Sequence, residues 1–241
     1  MKLLRSRFLK PVLLAALVAS AFAVNADAPR TAGGPPVPLL WKVSDADNSV
    51  YLLGSFHLLK PTDYPLSSDV DAAFKDAESL VFEMTPEEMS SPPLAMQMGQ
   101  AALRTDGTTL NSELPPETVA LLDKWLADNA AELQKMGLPP QVLQMFEPWF
   151  VGLTISITEM TKQGLDPKLG LDAHLAAQAG KAGKPTAGLE TGAQQIAFLD
   201  GMGKQEQLQF LAEALSQSED AKNETAKLHD AGRVGAVVLL W

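Results

Sequence analysis

The alternation of strand and helix patterns at both ends of the chain is the feature that most limits its fold. The N-terminal patterns are a hairpin at 39–43 and 49–56 around an Asp/Asn turn at 44–48, a helix at 69–77 with Ser68 as its N-cap, and a strand at 79–84. The middle is helical over 95–103, 116–129 and 139–162, and the C-terminal patterns are a helix at 171–182, a strand at 186–190 and helices at 191–202 and 204–216. These patterns predict an α/β (α+β) domain with a mixed β-sheet, an N-terminal hairpin, flanking helices and a helical insert.

Composition excludes several classes of protein and of site. The 241 residues carry a formal net charge of −10, which argues against nonspecific binding to nucleic acid because such binding needs Lys and Arg to neutralise phosphates. The chain has no Cys, so it forms neither disulfides nor thiolate metal sites. A hydrophobic content of 46% is ordinary for a folded globular protein.

The N-terminal segment has the pattern of a secretory signal peptide. Four basic residues precede an apolar run at 11–24 that is too short to span a membrane. The small-x-small sequences at 21–23 and 24–26 are two candidate cleavage sites. Loss of 1–23 removes the four positive charges and no acid, which takes the net charge from −10 to −14. We expect a mature chain with no transmembrane segment, exported to the periplasm or secreted, with a Pro/Gly-rich lead-in at 24–37.

Three side chains that are able to bind metal each lie at the C-terminal end of a predicted strand. They are His57, Glu83 and Glu190. In open α/β sheets ligands bind beyond the carboxyl ends of the strands, so these residues are expected to converge. One His and two carboxylates form a plausible ligand set for Zn, Mn, Co or Fe, and Gly54 at the same strand end permits a tight turn or the close approach of a ligand.

Each of these residues also has a purely structural interpretation. A single His after an apolar strand is more often a hydrogen-bonded structural residue, and Glu83 is also consistent with the first position of a loop. Glu190 precedes a predicted helix, where the helix dipole favours a carboxylate. Spacing alone leaves the metal site and these structural roles open.

Several ordered motifs resemble the TraB/GumN family. The segment WKVSDADNSVYLLGSFHLLKPTDYP (41–65) is similar to the hairpin and first Gly-x-x-His motif of that family. The segments ESLVFEM (78–84), EPWFVGL (147–153), GLDAHL (170–175) and GKPTAGLETGAQQIAFLDGM (183–202) resemble its next strand, central helix, Gly-x-Asp and Gly-Leu-Glu segments. The resemblance covers about residues 38–230.

The resemblance implies an activity and a site. The family is similar to the Tiki metal-dependent proteases and shares a distant fold with erythromycin-esterase-like and ChaN-like proteins. It implies that His57 and Glu83 bind a divalent metal ion (Mn, Co or Zn), that Glu190 and Glu83 are catalytic, and that Asp172 is a weaker candidate. The implied function is metal-dependent hydrolysis of a peptide or protein, and the alternative is a noncatalytic module that binds a peptide or a haem-like ligand.

The sequence departs from the family near its C-terminal end. Family members carry a second Gly-x-x-His motif, whereas His174 is one residue too far from Gly170 and His229 has no Gly three residues before it. We therefore expect a family domain at 38–231 that is incomplete, an aberrant tail at 232–241 that reflects truncation or a frameshift, and weak metal binding that leaves the enzyme's activity uncertain.

Overall fold

The computed structural model describes residues 38–219 and residue 229. The elements in chain order are β1 (Leu40–Ser44), β2 (Ser49–Leu53), α1 (Ser68–Asp76), β3 (Leu80–Phe82), α2 (Pro86–Met89), α3 (Pro92–Ala101), α4 (Pro116–Asp128), α5 (Ala130–Lys135), α6 (Pro140–Leu143), α7 (Pro148–Lys162), α8 (Leu171–Ala182), β4 (Thr186–Gly188), α9 (Gly192–Asp200) and α10 (Lys204–Glu219). The predicted α/β class is confirmed. The predicted signal peptide, the predicted lead-in at 24–37 and the predicted tail at 232–241 lie outside the described residues.

Strands β1 and β2 form the predicted antiparallel hairpin. Their register runs from Leu40 opposite Leu53 to Ser44 opposite Ser49. The turn is closed by the Asp45 carboxylate, which accepts a hydrogen bond from the backbone N–H of Asn48 at 2.7 Å. An Asp side chain that bonds the backbone of its own turn is the reason why such residues favour turns.

Strands β3 and β4 pair in parallel, with Leu80 opposite Thr186 and Phe82 opposite Gly188. The described residues therefore contain both strand orientations of a mixed sheet, in two separate two-stranded pairs. The long connection between β3 and β4 contains the predicted helical insert, α2 to α7, followed by α8.

Two apolar cores support the domain. The larger one lies among the helices of the insert and α10, and its fully buried members include Leu122, Trp149, Ile155 and Leu211. The smaller core lies among β3, α1 and α8 and consists of the side chains of Leu59, Leu66, Val70, Phe82, Leu171 and Leu175. The smaller core lies directly beside the strand ends that the sequence singled out.

The predicted helix at 139–162 is wrong as a single element. Helix α6 ends at Leu143 and α7 begins at Pro148. Pro148 has no N–H to donate and would break a continuous helix, and it is tolerated here because it occupies the first turn of α7. The chain between the two helices instead pairs with the segment after α3, because the N–H of Glu147 donates to the carbonyl of Ala102 at 2.8 Å.

Several helix boundaries also differ from their predictions, among them the start of α1. Helix α1 begins at Ser68, so the N-cap is Ser67 rather than Ser68.

Across the described part of the chain, no helix combines the length and the apolar character that a membrane span requires.

Candidate functional site

The loops after β3 and β4 run side by side and bring two glutamates together. Backbone pairing continues past the strands, because the N–H of Leu189 donates to the carbonyl of Phe82 and the N–H of Glu190 donates to the carbonyl of Glu83, both at 2.9 Å. Glu83 and Glu190 therefore lie next to each other at the carboxyl ends of two parallel strands, where ligands bind in α/β sheets.

Two glycines permit this close approach of the two loops. A Cβ atom at Gly188 would lie 2.8 Å from the backbone nitrogen of Thr85, and one at Gly192 would lie 2.2 Å from Cδ1 of Leu94. The N–H of Gly192 also donates to the Glu88 carboxylate at 2.8 Å, which joins the start of α9 to α2. A side chain at Gly188 would push the two loops apart, and one at Gly192 would require the Leu94 side chain on α3 to move.

His57 is held by the start of α8. The N–H of Leu171 donates to the carbonyl of Phe56 at 2.7 Å, and the preceding Gly170 packs so closely that an added Cβ would lie 2.2 Å from the carbonyl oxygen of His57. The Gly-x-Asp segment therefore packs directly on the Gly-x-x-His segment. This contact brings Asp172, in the first turn of α8, against the imidazole.

Asp172 fixes the orientation of His57. Its Oδ2 atom accepts a hydrogen bond from Nδ1 of His57 at 2.9 Å and another from the hydroxyl of Ser55. The hydrogen bond to Asp172 raises the pKa of His57 although partial burial opposes the shift. Burial would raise the pKa of Asp172, but the hydrogen bonds from His57 and Ser55 outweigh it and lower that pKa. With its Nδ1 proton bound to Asp172, neutral His57 presents a free lone pair on Nε2.

The Nε2 atom of His57 faces Glu83 across an open gap. The distance from Nε2 to Oε2 of Glu83 is 3.8 Å, which is too long for a direct hydrogen bond. The side chain of His57 is 63% exposed and that of Glu83 is 55% exposed, whereas that of Asp172 is only 16% exposed. The pair is therefore accessible to solvent and ligands, while the residue that orients His57 is largely covered.

Gln195 connects the two glutamates. Its Nε2 atom donates to Oε1 of Glu190 at 2.9 Å and makes a longer contact of 3.4 Å with Oε2 of Glu83. Gln195 lies in the first turns of α9, which begins with a capping box between Thr191 and Gln194.

The structure brings together four of the five residues that the sequence singled out: His57, Glu83, Glu190 and Asp172. The fifth, Gly54, closes the hairpin, because its N–H donates to the carbonyl of Leu39 at 2.8 Å and an added Cβ would make an ordinary contact of 3.4 Å with Leu39. Sequence reasoning missed Ser55 and Gln195. The available signals were that Ser55 lies inside the Gly-x-x-His motif and that Gln195 lies in the helix that directly follows Glu190.

The other two histidines contact different residues. The ring of His174 lies 4.6 Å from that of Tyr64, and its Nε2 atom lies 2.6 Å from the Gln178 amide. The Nε2 atom of His229 lies 2.7 Å from Oδ2 of buried Asp63.

The donor set fits part of a metal site. Within residues 38–219 and at 229, no group of three or more His, Cys, Asp or Glu residues is arranged to hold a metal ion. His57 and Glu83 nevertheless supply two suitable donors side by side. Histidines that bind metals usually give their other ring N–H to a carboxylate, as His57 does to Asp172. His57 and Glu83 are the two described residues that would hold a divalent ion if one binds at this site.

The fold and the site define an α/β protein with a histidine–carboxylate cluster at the carboxyl ends of its parallel strands. The model of the TraB/PrgY/gumN family matches residues 39–239, and the chain belongs to that family, as the motifs predicted. Comparisons with curated proteins and with solved structures gave no match.

Proposed function

We propose that this chain is an exported metal-dependent hydrolase that cleaves a peptide or protein. The observation that carries the proposal is the arrangement of Asp172, His57 and Glu83, in which a largely covered carboxylate orients an exposed imidazole toward a second, exposed carboxylate. A carboxylate that orients the imidazole in this way is common beside metal-binding histidines.

Each residue has a defined task in this proposal. Asp172 holds the Nδ1 proton of His57, which leaves Nε2 as a donor, and Glu83 supplies the neighbouring oxygen donor. A divalent ion held there supplies Lewis acidity and lowers the pKa of a bound water. Glu190 lies beside Glu83 and accepts the proton that water loses on attacking a peptide carbonyl.

Two features limit how tightly the site binds a metal. Only two protein donors face each other among the described residues, and both side chains are more than half exposed. We therefore propose weak, exchangeable binding of Mn, Co or Zn rather than a closed structural site, in which four protein ligands are the rule for zinc. Export is inferred from the N-terminal sequence pattern alone.

The test is cleavage of an internally quenched peptide library by the purified mature chain, with added Mn²⁺, Co²⁺ or Zn²⁺ and with EDTA. We expect metal-dependent cleavage that disappears in His57→Ala and Glu83→Gln. Glu87→Gln is the matched control, because Glu87 is an exposed glutamate on α2 four residues from Glu83. Unchanged turnover in His57→Ala would refute the assignment. Equal peptide binding with and without EDTA and no product would favour the noncatalytic module.

A further inference from the structure

Glu83 and Glu190 lie in loops that are hydrogen-bonded to each other. Two carboxylates of like charge therefore lie next to each other at the carboxyl ends of β3 and β4. Like charges repel, and carboxylates so placed move apart unless donors hold them. The Gln195 amide supplies such a donor group, since its nitrogen carries two protons and contacts an oxygen of each carboxylate.

The oxygen of Glu83 that Gln195 contacts is the one that faces the imidazole. Oε2 lies 3.4 Å from Nε2 of Gln195 and 3.8 Å from Nε2 of His57. Loss of the Gln195 amide would free the side chain of Glu83. That side chain is 55% exposed and has no other hydrogen bond among those the structure describes. The direction of Glu83 toward His57 therefore depends on Gln195.

Gln195 is itself held in place. The first turn of α9 is fixed by the Thr191–Gln194 capping box, and the N–H of Gly192 is bound by the Glu88 carboxylate at 2.8 Å. Because these hydrogen bonds fix the start of α9, the Gln195 amide is preorganised. Little conformational freedom is therefore lost when the amide orients the Glu83 carboxylate.

We propose that Gln195 is a positioning residue of the site: its amide bridges Glu190 and Glu83 and holds the Glu83 carboxylate in front of His57. The consequence of this inference rests on the proposed function. In a site that binds a divalent cation, Gln195 sets the affinity for the cation without binding the cation itself. Outer residues that orient ligands contribute about 10–100-fold to metal affinity.

The test compares Gln195→Met with Gln209→Met, two glutamines changed to the same side chain of equal length without an amide. Gln209 is an exposed residue of α10, and its amide donates to Glu213 at 2.8 Å rather than to the glutamate pair. We expect Gln195→Met to weaken Mn²⁺ binding about 10–100-fold by isothermal titration, with an unchanged Tm in EDTA. Gln209→Met should leave the affinity unchanged. Wild-type affinity in Gln195→Met, or an equal loss in both variants, would overturn the proposal.

A second measurement separates this inference from the proposed function. If the wild-type chain binds no Mn²⁺, Co²⁺ or Zn²⁺, the metal-dependent function fails. The inference is then tested by the ¹⁵N chemical shifts of the His57 imidazole in the metal-free chain at one fixed pH. A change caused by Gln195→Met and absent in Gln209→Met supports the positioning role, and unchanged shifts in both variants contradict it.

Discussion

Substitution of Gly170 by Ala tests the contact on which the site is built. The backbone of Gly170 has φ −54° and ψ 150°, which Ala adopts without strain, so any loss must come from packing. The new Cβ would lie 2.2 Å from the His57 carbonyl oxygen and 2.7 Å from its carbonyl carbon, against ordinary contacts of 3.4–4 Å. Both neighbours are backbone atoms, so the two segments must separate.

The separation has two costs. Overpacking of this kind costs about 1–3 kcal/mol, and loss of the hydrogen bond from Leu171 to Phe56 costs about 1 kcal/mol. We expect Gly170→Ala to lower the free energy of unfolding by about 2–4 kcal/mol, which corresponds to a fall in Tm of about 4–16 °C for a domain of this size. Thermal unfolding followed by circular dichroism measures this change in Tm.

Gly180→Ala is the matched control for this substitution. Gly180 lies on the same helix, α8, and an added Cβ meets nothing within 4 Å. The higher helix propensity of Ala should raise the free energy of unfolding by about 0.5–1 kcal/mol. If Gly170→Ala unfolds at the wild-type temperature or above it, the packing of α8 on the His57 segment is not what we describe.

Three further predictions concern residues outside the site. Trp125→Phe removes the indole N–H that donates to buried Glu159 at 2.8 Å and should cost about 1–3 kcal/mol in urea unfolding; wild-type stability would contradict this. Lys184→Met removes the ammonium group that binds the last carbonyls of α1, among them that of Phe74 at 2.6 Å, and should cost about 1–2 kcal/mol; an unchanged Tm would argue against the cap. The hydrogen bond from Arg104 lowers the pKa of Glu113 from 4.5, so Glu113 stabilises the fold above that pH and loses this effect as the pH falls through its folded-state pKa. Glu113→Gln should therefore lower Tm at neutral pH and have little effect in strong acid, whereas an equal loss at both would refute the assignment.

Local signals in the sequence predicted most elements of the fold. Helix α8 matches its predicted range of 171–182, because Gly170 precedes it and Gly183 follows it with a φ of +66°, the left-handed value at which helices commonly end. The hairpin was predicted because its turn residues bond their own backbone. These features depend on neighbours in the sequence, so they are visible without the fold.

Long-range packing decided most of the features that the sequence analysis missed. The helix predicted at 139–162 is interrupted before Pro148, which is a local helix-breaking signal that the prediction overlooked. The chain there pairs with the segment after α3, which no local pattern indicates. Which segment accepts the released backbone groups depends on tertiary contacts and not on periodicity. The separation of the strands into two pairs has the same origin, because strand partners are not encoded in a local pattern.

The candidate site shows the same division. The rule that ligands bind beyond strand ends brought His57, Glu83 and Glu190 to attention before the fold was known. Gln195 has no pattern of its own, since a glutamine in the first turns of a helix is usually a surface residue. Its contacts with both glutamates become visible only when β3 and β4 lie side by side.

The central claim is that His57 and Glu83 together bind a divalent cation, and metal content by mass spectrometry tests it most directly. The purified mature chain would be equilibrated with Mn²⁺, Co²⁺ or Zn²⁺, passed through a desalting column, and compared with His57→Ala, Glu83→Gln and the control Glu87→Gln. Our account predicts bound metal in the wild type and in Glu87→Gln, with loss of it in the other two variants. Equal metal content in His57→Ala and the wild type would contradict it.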